Sequence, residues 1–114
     1  MKMKDQIAPN LTFNHYQEDA ATTAIYPKDK AIEYLSLGLA SETGEFAGKV
    51  AKWYRKDTDF PKRAVLDELG DILWFVSELA RVLDTDLSAV ADLNRKKLAS
   101  RMERGVIKGS GDNR

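Results

Sequence analysis

Leu35–Trp53, LSLGLASETGEFAGKVAKW, is the stretch whose reading decides the fold. Stepping three and four residues at a time, Leu35, Leu39, Glu42, Phe46, Lys49 and Trp53 fall on one face of a helix. Four of these six are large and apolar, so the face is predicted to pack inward, and Glu42 stands where another Leu belongs. Glu45 follows at the border of the same face. A second seam, Val65, Glu68, Ile72, Phe75, Leu79 and Val82, repeats the anomaly: Glu68 interrupts the apolar row and Asp71 lies on the same flank.

Twenty-two residues (46 to 67) separate Glu45 from Glu68, enough to finish one helix, turn and begin the next. Consecutive helices joined by a short loop pack antiparallel as a rule, which brings the two acidic pairs face to face. Four carboxylates inside a bundle repel one another and are costly to desolvate, so a cation is required among them. Lys49 and Lys52 could neutralise two of the acids but are too few for four, and at i+7 from Glu42 and Glu45 they sit about 10 Å further along the axis. A divalent metal is the better answer. All-oxygen ligation without His or Cys points to a hard ion, Mg²⁺ or Mn²⁺. A lone E-x-x-E is ordinarily a solvated helix face. Two such pairs, each intruding on an apolar seam of adjacent helices, reverse that reading.

Working outward, the pattern predicts an all-α, four-helix-bundle-like single domain over residues 1–114. Helices are expected from about Thr12 or Phe13 to Thr23, Lys30 to Arg55, Lys62 to Leu83 and Asp86 to Arg104. Thr12 is the expected first N-cap, Asp84-Thr85 offers the last turn and N-cap, and Gly105 is the stop. Pro9, Pro27 and Pro61 fall between the patterned stretches, and Lys56–Pro61 (KDTDFP) reads as a loop. Residues 1–10 are read as an N-terminal extension and 105–114 as a flexible C-terminal tail. The third helix is apolar nearly all round, with Leu66, Leu69, Leu73, Val76 and Leu83 flanking its seam. Such a helix suggests a core completed by oligomerisation.

The 114 residues are 43% hydrophobic and 32% charged, ordinary for a folded domain, and include no cysteine. That excludes disulfides and thiolate metal sites and fits a cytoplasmic setting. No signal-peptide core or membrane-length apolar run is evident. The formal net charge is zero, which argues against a nucleic-acid partner. The charges are nevertheless uneven: acids crowd the middle, while Arg95, Lys96, Lys97, Arg101, Arg104, Lys108 and Arg114 make the end basic. A phosphate–metal ligand needs both signs close together.

Glu42-Thr43-Gly44-Glu45 followed by Glu68-Leu69-Gly70-Asp71 resembles the E-x-x-E…E-x-x-D signature of the all-α nucleoside triphosphate pyrophosphohydrolases. The flanking LGLASETGEFAGKVAKWYRK and VLDELGDILWFVSELA are similar to MazG-like members of that superfamily, and the likeness runs from about Leu11 to Arg114. The resemblance implies hydrolysis of a nucleoside triphosphate to the monophosphate and pyrophosphate. It also implies Mg²⁺ bound by Glu42, Glu45, Glu68 and Asp71. Asn94-Arg95-Lys96-Lys97 resembles an N-x-x-K segment through which related enzymes hold phosphates or sugar, and Arg101 continues the stripe. The tail resembles the ends of short MazG-like chains, where its backbone is expected to close over substrate.

A bound divalent ion inverts the sign of an acidic pocket, polarises phosphoryl oxygens and acidifies a bound water. Glu42 or Glu45 is then the expected catalytic base or orienter for water attacking the α-phosphorus, with Lys97, Arg101 and Lys49 or Lys52 stabilising the departing pyrophosphate. Trp53, Tyr54 and Trp74 read first as packing aromatics. Trp53, on the acidic seam, is also carried as a substrate contact through base stacking. His15 is read as unrelated to metal. A di-iron bundle would use Glu-x-x-His pairs, and His15 has Thr12 three residues before it. A phosphoribosyl-ATP pyrophosphatase and a non-catalytic nucleotide- or metal-binding or interaction module are the remaining alternatives.

Overall fold

Helix boundaries follow local capping chemistry. In the computed structural model, which describes residues 7–114, helix α1 spans Phe13–Ala21, α2 Ala31–Tyr54, α3 Lys62–Val82 and α4 Leu87–Glu103. Residues 1–6 of the expected N-terminal extension lie outside the described part. Thr12 caps α1 as expected, its hydroxyl accepting from the His15 N–H at 3.0 Å. The α4 cap is Asp86, not Asp84-Thr85: its carboxylate accepts from the Ala89 N–H at 2.7 Å. Asp86 prevails because it sits three residues before the donor it satisfies. A 3₁₀ turn at Lys28–Lys30, unforeseen in the sequence, leads into α2. No strand occurs among the described residues.

Three helices end through left-handed residues that close their last turns: Lys56 (φ 65°), Asp84 (φ 62°) and Gly105 (φ 69°). In each case the next N–H reaches back to a carbonyl five residues earlier, at 2.9 Å from Asp57 to Lys52, Thr85 to Ala80 and Val106 to Arg101. Gly105 alone advertises this conformation in the sequence, because a Cβ disfavours it elsewhere.

α2 and α3 form the antiparallel hairpin on which the molecule is built. Leu35 is fully buried and clusters with Tyr26 and Ala31, with Trp74, Phe75, Leu79 and Val82 packed around them. Helices approach closely at Gly38, where a Cβ would come within 2.9 Å of Phe75 Cδ1 and overlap the rest of that ring. α1 lies on α3: Trp74 Nε1 donates to Thr23 Oγ1 at 2.8 Å, and Gln17 Nε2 donates to the Ser77 carbonyl at 3.3 Å. α1 also fixes the start of α4, since Gln17 Oε1 accepts from the Leu87 N–H (3.2 Å) and Asn14 Oδ1 from the Ser88 N–H (3.1 Å). Those donors are among the orphans of a helix N-terminus, so one helix satisfies another.

Glu78 is fully buried at the far end of the hairpin. Arg81 Nη2 donates to its Oε1 at 2.7 Å and Tyr26 Oη to the same oxygen at 2.8 Å. The Arg81 guanidinium holds the Glu78 carboxyl below the usual carboxylate range despite its burial. This network ties the α1–α2 connection to α3.

The apolar core is thin. Leu37 is 72% exposed and Leu93 73%, and Leu69 and Leu83 of the apolar third helix are also uncovered. The radius of gyration is 16.8 Å, against about 13 Å for a compact chain of this length. No described helix is long and apolar enough to cross a membrane.

Gly38→Ala is expected to destabilise the fold by roughly 1–3 kcal/mol, despite the better helix propensity of Ala. Phe75 packs against both Tyr34 and Trp74, so shifting it away from a new Cβ disturbs those contacts. Urea denaturation followed by circular dichroism measures it, and a stabilised variant would contradict the close-packed crossing.

Candidate metal centre

The two apolar seams fix where the acids meet. Leu35 and Phe46 on α2, and Val65 and Phe75 on α3, turn inward, and Glu42 and Glu68 lie on the same faces. Glu42, Glu68 and Asp71 each offer one carboxylate oxygen, and the three oxygens lie within 4.8 Å of one another. Glu68 is buried, Glu42 half-buried and Asp71 exposed, so the group opens to solvent on one side. Glu45 is exposed and stands outside this group of three. Its charge still acts on Glu42, and its carboxyl reaches Glu68.

Electrostatics separate the two inner acids. Burial, hydrogen bonding with Glu68 and the charges of Glu45, Asp71 and Glu68 push the Glu42 carboxyl up to about 7. Glu68 is held below the usual carboxylate range, chiefly by Lys49. Lys49 Nζ donates to Glu68 Oε1 at 2.6 Å. Lys49 thus neutralises one acid, as expected of it, but the acid is Glu68 and not a neighbour on its own helix. Measured along α2 it is far from Glu42, but its partner is on α3, across the antiparallel pair. Without a metal, therefore, one acid is countered by Lys49 and another tends to keep its proton near neutrality.

Charge compensation remains incomplete. Glu42 Oε2 and Glu68 Oε2 are buried and have no hydrogen-bond partner. Buried carboxylate oxygens without donors are costly, and a cation relieves the cost directly. A donor set made wholly of carboxylate oxygen suits a hard divalent ion, so the residues fit a metal centre.

The remaining candidates are dispersed. Lys52 is exposed on α2. Trp53, expected to face inward, is 44% exposed and packs edge-on against Phe60, ring centroids 5.2 Å apart. The seam runs past the end of α3 there, so Trp53 meets the loop and not the hairpin. Trp74 is a packing aromatic, crossing Tyr26 and Phe75, while Tyr54 is exposed. Asn94 is exposed on α4, whereas Lys97 and Arg101 bond to the C-terminal segment rather than to the acids. His15 pairs with Asp19 at 3.7 Å. One neighbour escaped the sequence reading: Tyr16 of α1, whose phenol is raised by burial and by the nearby charge of Asp71. Only the packing of α1 on α3 brings it there, and no local pattern signals it.

A helical hairpin that gathers carboxylates from two facing seams defines a class of acidic, metal-competent all-α proteins. Residues 30–106 match the MazG nucleotide pyrophosphohydrolase domain, and the chain belongs to that family. The match spans α2, α3, α4 and the acidic centre, in a family that depends on divalent metal. The chain is also similar to the Gene 37 protein of Mycobacterium phage L5, 46% identical over 109 residues, covering 87% of this chain and 96% of the relative. No solved structure gives a significant match.

The raised Glu42 carboxyl has a definite pH consequence. Its pKa is higher in the fold than in the unfolded chain, so its contribution is fully present below about 4.5 and is lost as pH rises through about 7. In chelator, the melting temperature of the wild type relative to Glu42→Gln is expected to fall across that window and level off above it. Superimposable pH profiles for the two proteins would show that Glu42 titrates as an ordinary exposed acid.

Proposed function

We propose that this protein is a Mg²⁺-dependent nucleoside triphosphate pyrophosphohydrolase, converting a (d)NTP to the (d)NMP and pyrophosphate. The observation that carries the reading is the convergence of Glu42, Glu68 and Asp71 with two buried carboxylate oxygens left without donors. Family membership supplies the reaction class.

Glu42, Glu68 and Asp71 would hold the metal, with Glu45 at its rim. When bound, Mg²⁺ supplies positive charge against the phosphoryl oxygens and lowers the pKa of a coordinated water. Lys49 steadies Glu68, keeping it ionised and oriented. Glu45 is exposed beside the three ligands, so we assign it to orienting the attacking water and receiving its proton at a carboxylate oxygen. Asn94, Lys97 and Arg101 on α4 are assigned to the phosphates, where cationic donors offset the charge of the leaving pyrophosphate.

The reading includes self-association. Leu37, Leu69, Leu83, Leu93 and Met102 are uncovered in an extended chain, and a partner subunit would bury them. Gly44, Gly48 and Gly70 point the same way. A Cβ at any of them would meet nothing within 4 Å, yet each costs about 1 kcal/mol in a helix interior relative to Ala. A homodimer, or a tetramer of two dimers, gives those surfaces a partner.

A panel of canonical and modified nucleoside triphosphates, with Mg²⁺ or chelator, tests the activity by release of pyrophosphate. Metal-dependent turnover is expected, with Glu68→Gln and Glu45→Gln each losing on the order of 100-fold or more in kcat. Metal binding without turnover on any triphosphate would leave a binding module instead. Light scattering at micromolar concentration is expected to give at least twice the 12.8 kDa chain mass.

A further inference from the structure

Lys97 and Arg101 lie one turn apart on α4 and converge on a single carboxylate. Lys97 Nζ and Arg101 Nη2 each donate to Asp112 Oδ1 at 3.2 Å. Arg101 Nη2 also reaches the backbone carbonyls of Asp112 (3.1 Å) and Gly111 (3.4 Å). Arg101 is only 5% exposed, and its Nε is buried with no partner. A guanidinium so deeply placed needs an anion, because it cannot shed its proton. The carboxylate it meets is 82% exposed. The seat is therefore built into the fold, while its occupant stands at the open side.

That occupant belongs to the segment expected to be a flexible tail. After Gly105 the chain folds back along α4 through Gly109 (φ 140°) and Gly111 (φ 83°). Arg114 closes the loop on itself, donating to the carbonyls of Val106 (3.1 Å), Ile107 (3.0 Å) and Gly111 (2.6 Å). The segment carries its own hydrogen bonds and can move as a unit. It is held to α4 by Arg104 Nη2, which donates to the Arg114 carbonyl at 3.0 Å, and by Asp112. The Asp112 carboxylate is open to solvent although Arg101 is buried, and solvent on that side screens the ion pair. Lys97 and Arg101 together depress the Asp112 carboxyl below the usual range, so it remains an anion at neutral pH.

We propose that Asp112 is a built-in competitor for polyphosphate: it occupies Lys97 and Arg101 in the free protein and is displaced when a phosphate group arrives. A phosphate brings more charge and three acceptor oxygens, and it matches the guanidinium fork better than a single carboxylate oxygen does. The segment 105–114 then leaves its resting place on α4 as substrate enters. The inference rests on Lys97 and Arg101 being phosphate ligands, but Asp112 lies beyond residues 30–106 that match the family.

Inorganic pyrophosphate, titrated into the full-length protein in chelator and followed by NMR, separates the two ideas. Asp112→Asn retains the backbone contacts to Arg101 and is expected to bind pyrophosphate about fivefold more tightly than wild type. In the wild type, amide hydrogen exchange of residues 109–114 is expected to quicken on saturation. If Lys97→Ala weakens binding while Asp112→Asn leaves it unchanged or weaker, the phosphate seat stands and the competitor is overturned. If Lys97→Ala has no effect, or neither wild type nor Asp112→Asn binds, the phosphate assignment on α4 falls and the competitor with it.

Discussion

Like-charge repulsion between Glu42, Glu68 and Asp71 is the constraint around which the rest of the molecule is arranged. Two apolar seams drive α2 and α3 together, and the acids are carried along because they occupy positions in those seams. Hydrophobic burial along the hairpin supplies the force, and the acids are its cost. Lys49 offsets part of that cost at Glu68, and a proton retained on Glu42 offsets another part. Two carboxylate oxygens still lack any donor. Such an imbalance at the centre of a fold costs stability, and local rules are usually broken in this way at functional sites.

The hairpin alone cannot hold the site in place. α1 braces α3 through Gln17, with Thr23 just beyond its end, and it caps the first turn of α4 through Gln17 and Asn14. The buried Glu78–Arg81–Tyr26 network pins the chain between α1 and α2 at the opposite end from the acids. These are polar restraints with defined geometry, so they fix relative helix positions where the small apolar core does not. The same thinness leaves Leu69 of α3 and Leu93 and Met102 of α4 exposed.

Charge is divided along the chain in a manner suited to a metal–polyphosphate ligand. Carboxylates face one another on α2 and α3, and the cations gather on α4. In the free protein each set is partly satisfied internally, the acids by Lys49 and the α4 cations by Asp112. On the proposed reading, substrate and metal exchange these incomplete internal partners for external ones of opposite sign.

Four helices, their approximate ends and the acidic interruptions were all legible in the sequence, because helical periodicity is a local property and a Glu in an apolar row is conspicuous. The fit of the MazG motif was equally local. Other features depended on elements distant in the chain. Which acid Lys49 would meet was not legible along its own helix, and antiparallel packing put it on Glu68. Trp53 belonged to the seam by spacing, yet α3 had no residues left to cover it. Left-handed caps at Lys56 and Asp84 carried no glycine to announce them. Tyr16 near Asp71, and Asp112 between Lys97 and Arg101, join residues far apart in sequence. Periodicity reports which face a side chain occupies; which charge lies opposite is decided only when separate elements pack.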